Sequence, residues 1–372
     1  MRKVLLLGAG KIGRMIARRL VDSGDYDVLV GDASEAALTR MAERVPVSSR
    51  VIDVNDEHVL AEAMQGRDAV LCALSFQFSQ PVAAAALKSG ISYFDLTEDV
   101  ATTRAIKALA EQAQPRQVFM PQCGLAPGFI SIAAAHLLRE FDRVDSVRMR
   151  VGALPTFPSN MLKYNLTWST DGLINEYCNL CEVIHDGQQL DVLPLEGYEE
   201  FSLDGVRYEA FNTSGGLGTL CESLAGRVRE LNYKTIRYPG HRELMQFLLG
   251  ELRLSERRGL LREILEHAIP VTFQDVVITF CTVTGQRRGQ LVQMTDARKI
   301  YSHSIANESW SAIQITTASS LCAVLDLHFA GQLPQQGFVR QEQVRLDDFL
   351  ANRFGVGFDA TVTPLLGDPS QA

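Results

Sequence analysis

Three glycines near the N-terminus have the spacing of a turn that admits phosphate. Gly8, Gly10 and Gly13 stand in the segment GAGKIG, which has the pattern GxGxxG. The first glycine permits a tight turn, the second lets the backbone approach a pyrophosphate, and the third lets a helix pack against the preceding strand. The N-terminus of that helix offers unpaired N–H groups and a positive dipole end. Gly8, Gly10, Lys11, Ile12 and Gly13 are therefore predicted to hold the phosphates of a dinucleotide.

An acidic residue follows where a ribose would lie. Asp32 closes the second apolar run, about twenty residues after the glycines, and no arginine comes directly after it. Its carboxylate is expected to accept the ribose hydroxyls, which favours NAD over NADP because a 2′-phosphate would meet a like charge. The alternative is a glycine turn with no ligand. The flanking strand, helix and spaced acid favour the dinucleotide.

These residues need a framework of strands and helices to position them. Six short apolar runs alternate with helical patterns over the first 125 residues or so, and they are predicted as strands at 3–7, 27–31, 50–54, 68–74, 92–96 and 118–122. This rhythm predicts an α/β fold with a doubly wound parallel sheet, in which ligands bind beyond the carboxyl ends of the strands. The strand ends add candidate cofactor contacts at Asp53, Cys72, Ala73, Leu74, Ser75 and Cys123. Asp53 is expected near the adenine and Cys123 near the nicotinamide.

After the sixth strand the βα rhythm stops. Alternating runs joined at Asp186-Gly187 and Asp204-Gly205 predict hairpins of an antiparallel sheet with a few helices. An apolar helix over 311–330 is expected to return to the nucleotide-binding domain. We therefore predict a Rossmann domain at 1–126, completed by about 306–372, and an α+β substrate-binding and dimerisation domain at 127–305.

Composition narrows the function classes. The net charge is −8, and lysines and arginines are scattered, which argues against nucleic acid or an anionic membrane as partner. No apolar run approaches the twenty residues that span a bilayer, and the N-terminus enters a strand directly, so we expect no signal peptide. Seven cysteines, an odd number, indicate reduced thiols and a cytoplasmic protein. Cys178 and Cys181 form a lone CxxC with His185 as the one close further ligand, and structural thiols are favoured over a metal site.

Particular phrases in the middle of the chain resemble the saccharopine dehydrogenase family. They are CGLAPG at 123–128, LPTFP at 154–158, LKYNLTWSTDGLINEY at 162–177 and KTIRYPGH at 234–241. The wording YNLTWSTDGLINEYCN and the stretch FNTSGGLGTLCESL are most similar to the L-lysine 6-dehydrogenases within that family. The resemblance runs from Met1 to about Leu350. It implies NAD-dependent oxidative deamination of the lysine ε-amine, giving ammonia and a semialdehyde that cyclises to a piperideine carboxylate.

This chemistry requires a base for the substrate ammonium, and three residues are candidates. The resemblance suggests Lys163, whose pKa would fall if it were desolvated between the domains, and its alternative is a solvated lysine. His241 is a proton carrier at working pH, or a histidine that caps a helix. Asp95 would hold an ammonium or orient water, or else it is a turn aspartate.

Four residues are candidates for binding the amino-acid substrate. Arg237 suits a bidentate clamp on the α-carboxylate. Tyr164 and Trp168 would wall the methylene chain, although a core position is as consistent with their types. Thr213 begins the segment TSGGLG, which either contacts the substrate or forms a turn. The sheet needs a covered face, so a homodimer or higher homo-oligomer is expected.

Two other functions stay open at this point. A saccharopine reductase or related C–N oxidoreductase would need a second dicarboxylate subsite with more arginines. A non-catalytic NAD-binding protein would bind the cofactor without turnover.

Overall fold

The N-terminal part of the protein is a parallel sheet with helices on both faces. The computed structural model describes residues 1–305 and 307–358. The strands are β1 (Arg2–Leu7), β2 (Tyr26–Asp32), β3 (Ser48–Val51), β4 (Ala69–Cys72), β5 (Ser92–Asp95) and β6 (Val118–Met120). The helices are α1 (Lys11–Asp22), α2 (Glu35–Ala42), α3 (Glu57–Met64), α4 (Ser79–Ser89) and α5 (Val100–Ala110), with a 3₁₀ turn at Phe76–Phe78. β4 and β5 are buried along their whole length, as expected for parallel strands covered on both faces.

The second part of the chain builds a larger sheet and its own helices. Its strands are β7 (Arg143–Pro155), β8 (Cys181–His185), β9 (Gln188–Val192), β10 (Glu199–Leu203), β11 (Val206–Asn212), β12 (Glu230–Arg237), β13 (Asp275–Arg287) and β14 (Gln290–Tyr301). Its helices are α6 (Phe129–Leu138), α7 (Thr170–Cys178), α8 (Leu220–Leu224), α9 (His241–Gln246) and α10 (Arg258–Ala268). A π-helical turn at Phe247–Glu251 continues α9, and a 3₁₀ turn spans Leu254–Glu256.

This second sheet is mixed, which corrects the prediction of an antiparallel one. Its main order is β10-β11-β12-β7-β13-β14, with β8 pairing β12 and β9. β12 pairs with β7 in parallel, Leu231 opposite Val147, while β13 runs antiparallel to both β7 and β14. A parallel pair requires a long crossover, and the chain from β7 to β12 supplies one through two helices, α7 and α8, and four strands. Alternation of apolar residues reports which face is buried and carries no information on strand direction.

The C-terminal part returns to the nucleotide-binding sheet. It contains β15 (His303–Ile305), β16 (Glu308–Trp310), α11 (Ala312–Phe329), β17 (Gly337–Phe338), α12 (Leu346–Ala351) and a 3₁₀ turn at Gly355–Phe358. β17 pairs with β6, so the first sheet has the order β17-β6-β5-β4-β1-β2-β3. α11 packs on α1, and Arg19 of α1 donates to Ser319 Oγ of α11 over 2.9 Å. The last part of the predicted C-terminal segment, 359–372, lies outside the described residues.

α11 is the core helix that joins the two parts of the fold. It is long and apolar enough to cross a membrane by length and composition, but 83% of its apolar window is buried inside the protein. α11 begins with a capping box, in which the side chains of Ser311 and Gln314 each accept a hydrogen bond from the backbone N–H of the other residue. The buried carboxylate of Asp275 on β13 accepts the N–H groups of Ala312 and Ile313, tying the helix to the second sheet.

Candidate functional site

A cavity of about 160 Å³ lies between the carboxyl edge of the parallel sheet and the second sheet. Segments after β4, β5 and β6 form one wall: 73–76, 96–98 and 124–127. β7, α7 and β12 form the opposite wall, with Val151, Glu176 and Arg237 among the lining residues. Ile12 of α1 reaches the same cavity, so the glycine turn opens towards it. The cavity therefore lies where a doubly wound sheet binds its ligands.

The glycine turn has the shape that a pyrophosphate requires. Gly8 has φ +111°, a conformation that favours glycine, and a Cβ at Gly13 would collide with the Gly8 carbonyl. A Cβ at Gly10 would meet no atom within 4 Å, so the space in front of this residue is open. Gly10 is the N-cap of α1, and no side chain caps this helix end. The free N–H groups of the first turn therefore point to an open space of the kind that binds phosphate.

Asp32 stands beside this turn as a fixed carboxylate. Its Oδ2 accepts the N–H of Ala9 over 2.7 Å, and its Oδ1 accepts the N–H of Ser34 over 2.8 Å. Ser34 in turn caps α2 through Ala37. Each carboxylate oxygen keeps a lone pair for a further donor. Among the described residues no cation lies within ion-pair distance of Asp32, so the ribose position has a net negative environment.

The other predicted cofactor contacts divide into two groups. Ala73, Leu74 and Ser75 line the cavity, and exposed Asp53 follows β3 with its carboxylate held by Asn55. The thiols of Cys72 and Cys123 are buried and are not part of the cavity wall. Cys123 donates to the Met120 carbonyl over 3.0 Å, and burial raises its pKa well above the usual range. Neither thiol therefore faces the cavity, and Gly124, next to Cys123, lines it.

Two buried carboxyl groups on the cavity wall are only partly compensated by the protein. Glu176 of α7 is 6% exposed, and no described residue forms a hydrogen bond or ion pair with its carboxyl group. Glu98, after β5, has a buried Oε1 that likewise lacks a hydrogen-bond partner. Burial raises the pKa of Glu176 to about 8 and that of Glu98 to about 7. Buried carboxyls without partners are costly, and a cationic ligand would compensate them.

Arg237 faces these carboxyls and is held from behind. Its Nε donates to the Tyr177 hydroxyl over 2.8 Å and its Nη1 to the Ile236 carbonyl over 2.8 Å. The guanidinium carbon lies 5.0 Å from the centre of the Tyr164 ring. Among the cavity-lining residues that the structure describes, Arg237 is the one lysine or arginine. Its remaining N–H groups are available to an anion.

The family models agree with this arrangement. One, the saccharopine dehydrogenase NADP binding domain, matches residues 4–120, and another, the saccharopine dehydrogenase C-terminal domain, matches residues 124–354. The chain belongs to the saccharopine dehydrogenase family. It is therefore an oxidoreductase that acts on a C–N bond with a nicotinamide dinucleotide, and the glycine turn and Asp32 fit that cofactor. This confirms the family and the cofactor class predicted from the sequence.

Three solved structures are similar to this chain at low sequence identity. Apo saccharopine dehydrogenase (L-Glu forming) from Saccharomyces cerevisiae has a TM-score of 0.74 and 16% identity, with 96% of each chain covered. A probable dehydrogenase from Thermotoga maritima has a TM-score of 0.46 and 11% identity, covering 95% of this chain and 94% of its own. DAP dehydrogenase from C. glutamicum, in complex with DAP, has a TM-score of 0.46 and 12% identity, covering 95% and 99%. The first of these structures confirms the Rossmann architecture with a second α+β domain.

Lys163 does not lie at the cavity, where a base for the substrate would be needed. Lys163 has φ +50° in a surface turn, and its exposed Nζ donates to the Pro239 carbonyl over 2.7 Å. The turn directs the side chain to solvent and away from the cavity. The assignment of Lys163 as a desolvated base is therefore wrong in its physical premise.

His241 is buried behind Arg237 and does not reach the cavity. Its Nδ1 lies 2.8 Å from the Leu162 carbonyl, which only accepts, so Nδ1 carries the proton and Nε2 accepts from Tyr177 over 3.1 Å. Burial, with the nearby Arg237 charge, lowers the pKa of His241 to about 3. A neutral ring at working pH does not carry protons to the substrate. His241 instead orients Tyr177, which orients Arg237.

Asp95 is also a structural residue here. It is fully buried, and its oxygens accept from Tyr93 Oη over 2.7 Å and from the N–H groups of Thr97 and Gln122 over 3.0 and 2.9 Å. These bonds fix the ends of β5 and β6 at the cavity edge. The expectation that Asp95 faces the crevice and meets an ammonium is therefore not met.

The predicted substrate contacts are distributed around the cavity. Trp168 and Arg237 line it, whereas Tyr164 lies behind the wall and accepts from Trp168 Nε1 over 3.2 Å. Thr213 is buried beside a separate small cavity next to Gly215, and its hydroxyl has no partner among the described residues.

The CxxC pair, Cys178 and Cys181, consists of free thiols, and Nδ1 of His185 lies 3.2 Å from a carboxylate oxygen of Glu230.

Glu98 and Glu176 were not among the residues predicted from the sequence. Glu98 stands two residues beyond the predicted strand 92–96, so a longer window after that strand would have included it. Glu176 lies within a helix, where residue types alone do not show which face meets a cavity.

Proposed function

We propose that this enzyme oxidatively deaminates the ε-amine of L-lysine with NAD. The observation that carries the proposal is the charge pattern of the cavity wall: one guanidinium, Arg237, and two buried carboxyls that no cation pairs at hydrogen-bond distance, Glu98 and Glu176. Lysine has the complementary pattern, with one carboxylate and two ammonium groups. The α-carboxylate belongs on Arg237, and the two ammonium groups belong on the two glutamates.

The same pattern weighs against saccharopine as the substrate. Saccharopine carries three carboxylates, so its site would need further cations, whereas Arg237 is the one cationic residue among the described lining residues. Two buried carboxyl groups do not supply those cations. A saccharopine reductase or dehydrogenase is therefore the second candidate.

The choice of NAD rests on Asp32. Bound at the glycine turn, the oxidised dinucleotide would accept a hydride from the substrate carbon. Asp32 presents two fixed acceptor oxygens to the ribose hydroxyls and a negative charge to any 2′-phosphate. Although the matching family model is named for NADP, this carboxylate supports NAD in this chain.

The remaining lining residues would hold the substrate and exclude water. Trp168, Leu96 and Leu125 give the cavity an apolar middle section that suits four methylene groups. Electrostatic contacts inside such a section are stronger than in water, because the local dielectric is lower. The residues of the chain thus bind both ends of lysine and hold the reacting carbon at the edge of the nucleotide-binding sheet.

Steady-state NADH formation tests this proposal. Rates are compared for L-lysine, saccharopine, L-ornithine and no amino acid, each with NAD and with NADP. Turnover with L-lysine and NAD supports the proposal, and turnover with saccharopine alone supports the second candidate. Binding of NADH without turnover of any amine would indicate a non-catalytic protein. A homodimer and a cytoplasmic location remain predictions from the sequence.

A further inference from the structure

Glu98 lies where the two halves of the cavity meet. It follows β5, next to Leu96 and Thr97, and the neighbouring wall segment is 73–76 after β4. A nicotinamide would lie at this edge, because ligands of such sheets bind beyond the strand ends. Glu176 projects from α7 in the opposite wall, beside Arg237. Of these two buried carboxyls, Glu98 is therefore the one on the dinucleotide side.

The backbone around Glu98 is fixed on both sides. Thr97 Oγ1 accepts the N–H of Asp99 over 3.2 Å, and Asp99 Oδ1 accepts the N–H of Thr102 over 2.7 Å as the N-cap of α5. Gly215 packs so closely that a Cβ there would collide with the Glu98 carbonyl. Glu98 is thus held in place before any substrate binds, as a group that must meet a reacting atom should be.

The side chain of Glu98 reaches α7 at Gly172. Its Oε1 lies 3.1 Å from the position that a Cβ of Gly172 would take. Gly172 and Glu176 are one helical turn apart on the same face of α7, so the two carboxyls are near neighbours. The buried Oε1 of Glu98 and the carboxyl of Glu176, which is 6% exposed, both lack a partner among the described residues. The pair is therefore built to receive hydrogen-bond donors from a ligand.

We propose that Glu98 is the base that takes the proton from the reacting ammonium, while Glu176 holds the other ammonium. This inference rests on the proposed function, which supplies both the amine and the oxidised dinucleotide. In the step, an N–H bond of the ammonium breaks and an O–H bond forms on the Glu98 carboxylate. The electron pair stays on nitrogen, and the neutral amine is then able to lose a hydride from its carbon.

The electrostatic surroundings of Glu98 suit this proton transfer. A lysine ammonium has a pKa of about 10.4 and an exposed glutamate about 4.3. Burial, together with the charges of Asp99 and Asp95, raises the pKa of Glu98 to about 7. This rise reduces the difference in pKa between the substrate ammonium and the carboxyl group of Glu98. The other charged groups facing it across the cavity are Glu176 and Arg237. An ammonium that enters between the two glutamates is attracted to both carboxyl groups. Its pKa is closer to that of Glu98 than to that of an exposed glutamate.

Paired substitutions separate the two roles. Glu98→Gln and Glu176→Gln each remove one carboxylate with no change in size, and kcat and KM for L-lysine are measured across pH. We expect Glu98→Gln to lower kcat by at least about 100-fold and to remove the acidic limb of its pH profile. Glu176→Gln should raise KM by about tenfold or more, with kcat changed by less than about fivefold and the limb kept. Glu222→Gln, a surface change, should leave both constants unaltered.

Further measurements distinguish the loss of a catalytic group from misfolding and from incomplete binding of the dinucleotide. Thermal melting and NADH binding show whether each variant is folded, and Glu98→Asp should keep the acidic limb at an intermediate kcat. Calorimetric titration of L-lysine into the NADH complex, in two buffers of different ionisation enthalpy, counts the protons released on binding. The wild-type protein should release protons at pH 7, and Glu98→Gln should release fewer.

The possible outcomes distinguish this inference from the proposed function. If the wild-type protein oxidises lysine and folded Glu98→Gln keeps kcat within about threefold, the role of Glu98 is overturned and the proposed function stands. If the wild-type protein oxidises a different amine, the substrate choice fails, and the same variants are assayed on that amine. A wild-type protein that oxidises no amine overturns both.

Discussion

The guanidinium of Arg237 and the hydroxyl of Tyr177 are joined by a hydrogen bond of 2.8 Å. Both residues are buried, and Tyr177 in turn donates to Nε2 of His241. This chain of contacts aims the free N–H groups of Arg237 into the cavity. It makes Tyr177 and His241 positioning residues for the group that we assign to the substrate carboxylate.

Tyr177→Phe should weaken substrate binding more than it slows turnover. The change removes the acceptor of Arg237 Nε and leaves that N–H unsatisfied, a loss of about 1–3 kcal/mol. We expect KM for L-lysine to rise about tenfold or more, with a smaller change in kcat. Steady-state kinetics measure this, with Tyr208→Phe, whose hydroxyl lies on the other sheet face, as control. An unchanged KM would show that Arg237 does not depend on Tyr177.

His241→Asn should not remove an acidic limb from the pH profile of kcat/KM. The pKa of His241 is lowered to about 3 by burial and by Arg237, so the ring is neutral across the working range. The variant should be less stable by about 1–3 kcal/mol, because Tyr177 loses its acceptor. Chemical denaturation and a pH–rate series check both statements. Loss of the limb in the variant would return His241 to a proton-carrying role.

The stability of the ligand-free protein should fall as pH rises from about 5 to about 8. Burial raises the pKa of Glu176 to about 8, above its unfolded value. The folded state therefore binds the proton more tightly, and the stability it contributes is lost as pH rises through the folded pKa. The slope is at most about 1.4 kcal/mol per pH unit for one such group. Denaturation of wild-type protein and Glu176→Gln at several pH values should show a flatter curve for the variant, and parallel curves would contradict this account.

Two glycines of the turn should fail in different ways. Gly13→Ala places a methyl group against the Gly8 carbonyl, so it should destabilise the fold. Gly10→Ala meets no atom of the protein, so the fold should keep its melting temperature while NADH binding weakens by about tenfold or more. Thermal melting and NADH fluorescence distinguish the two losses. Full NADH affinity in Gly10→Ala would mean that the pyrophosphate does not lie at this turn.

Asp32→Ala should relax the choice of cofactor. Removing the carboxylate removes acceptors for the ribose hydroxyls and the charge that opposes a 2′-phosphate. KM for NAD should rise by about tenfold, and use of NADP should improve. Asp32→Asn controls for the hydrogen bonds to Ala9 and Ser34, which an amide oxygen keeps in part. Unchanged NAD kinetics in Asp32→Ala would show that the ribose lies elsewhere.

The sequence was sufficient for the parts of the fold that local physics determines. The glycine turn, Asp32 and the strand ends at 73–75 could be placed because their spacing has one structural solution. The hairpins between β8 and β9 and between β10 and β11 followed from alternation around Asp186-Gly187 and Asp204-Gly205, where all four residues have positive φ. The parallel pairing of β7 and β12 could not be foreseen, because it depends on where a long crossover returns.

The position of Glu176 at the cavity could not be predicted from the sequence, for a different reason. Glu176 and the residues around it in α7 are buried, and periodicity within the helix gave no sign that one face meets a cavity. Lys163 was misplaced because a single positive φ turns its side chain to solvent. His241 was misassigned because its pKa depends on burial and on Arg237, which only the tertiary structure brings together.

The most direct test of the central claim follows the fate of the ε-nitrogen. The protein is incubated with NAD and L-lysine carrying ¹⁵N at the ε-position, and the ammonia and NADH formed are quantified together. We predict equal amounts of NADH and ¹⁵N-labelled ammonia, with the carbon skeleton recovered as the cyclic piperideine carboxylate. Unlabelled ammonia from the α-position, or no NADH with lysine at all, would contradict the account.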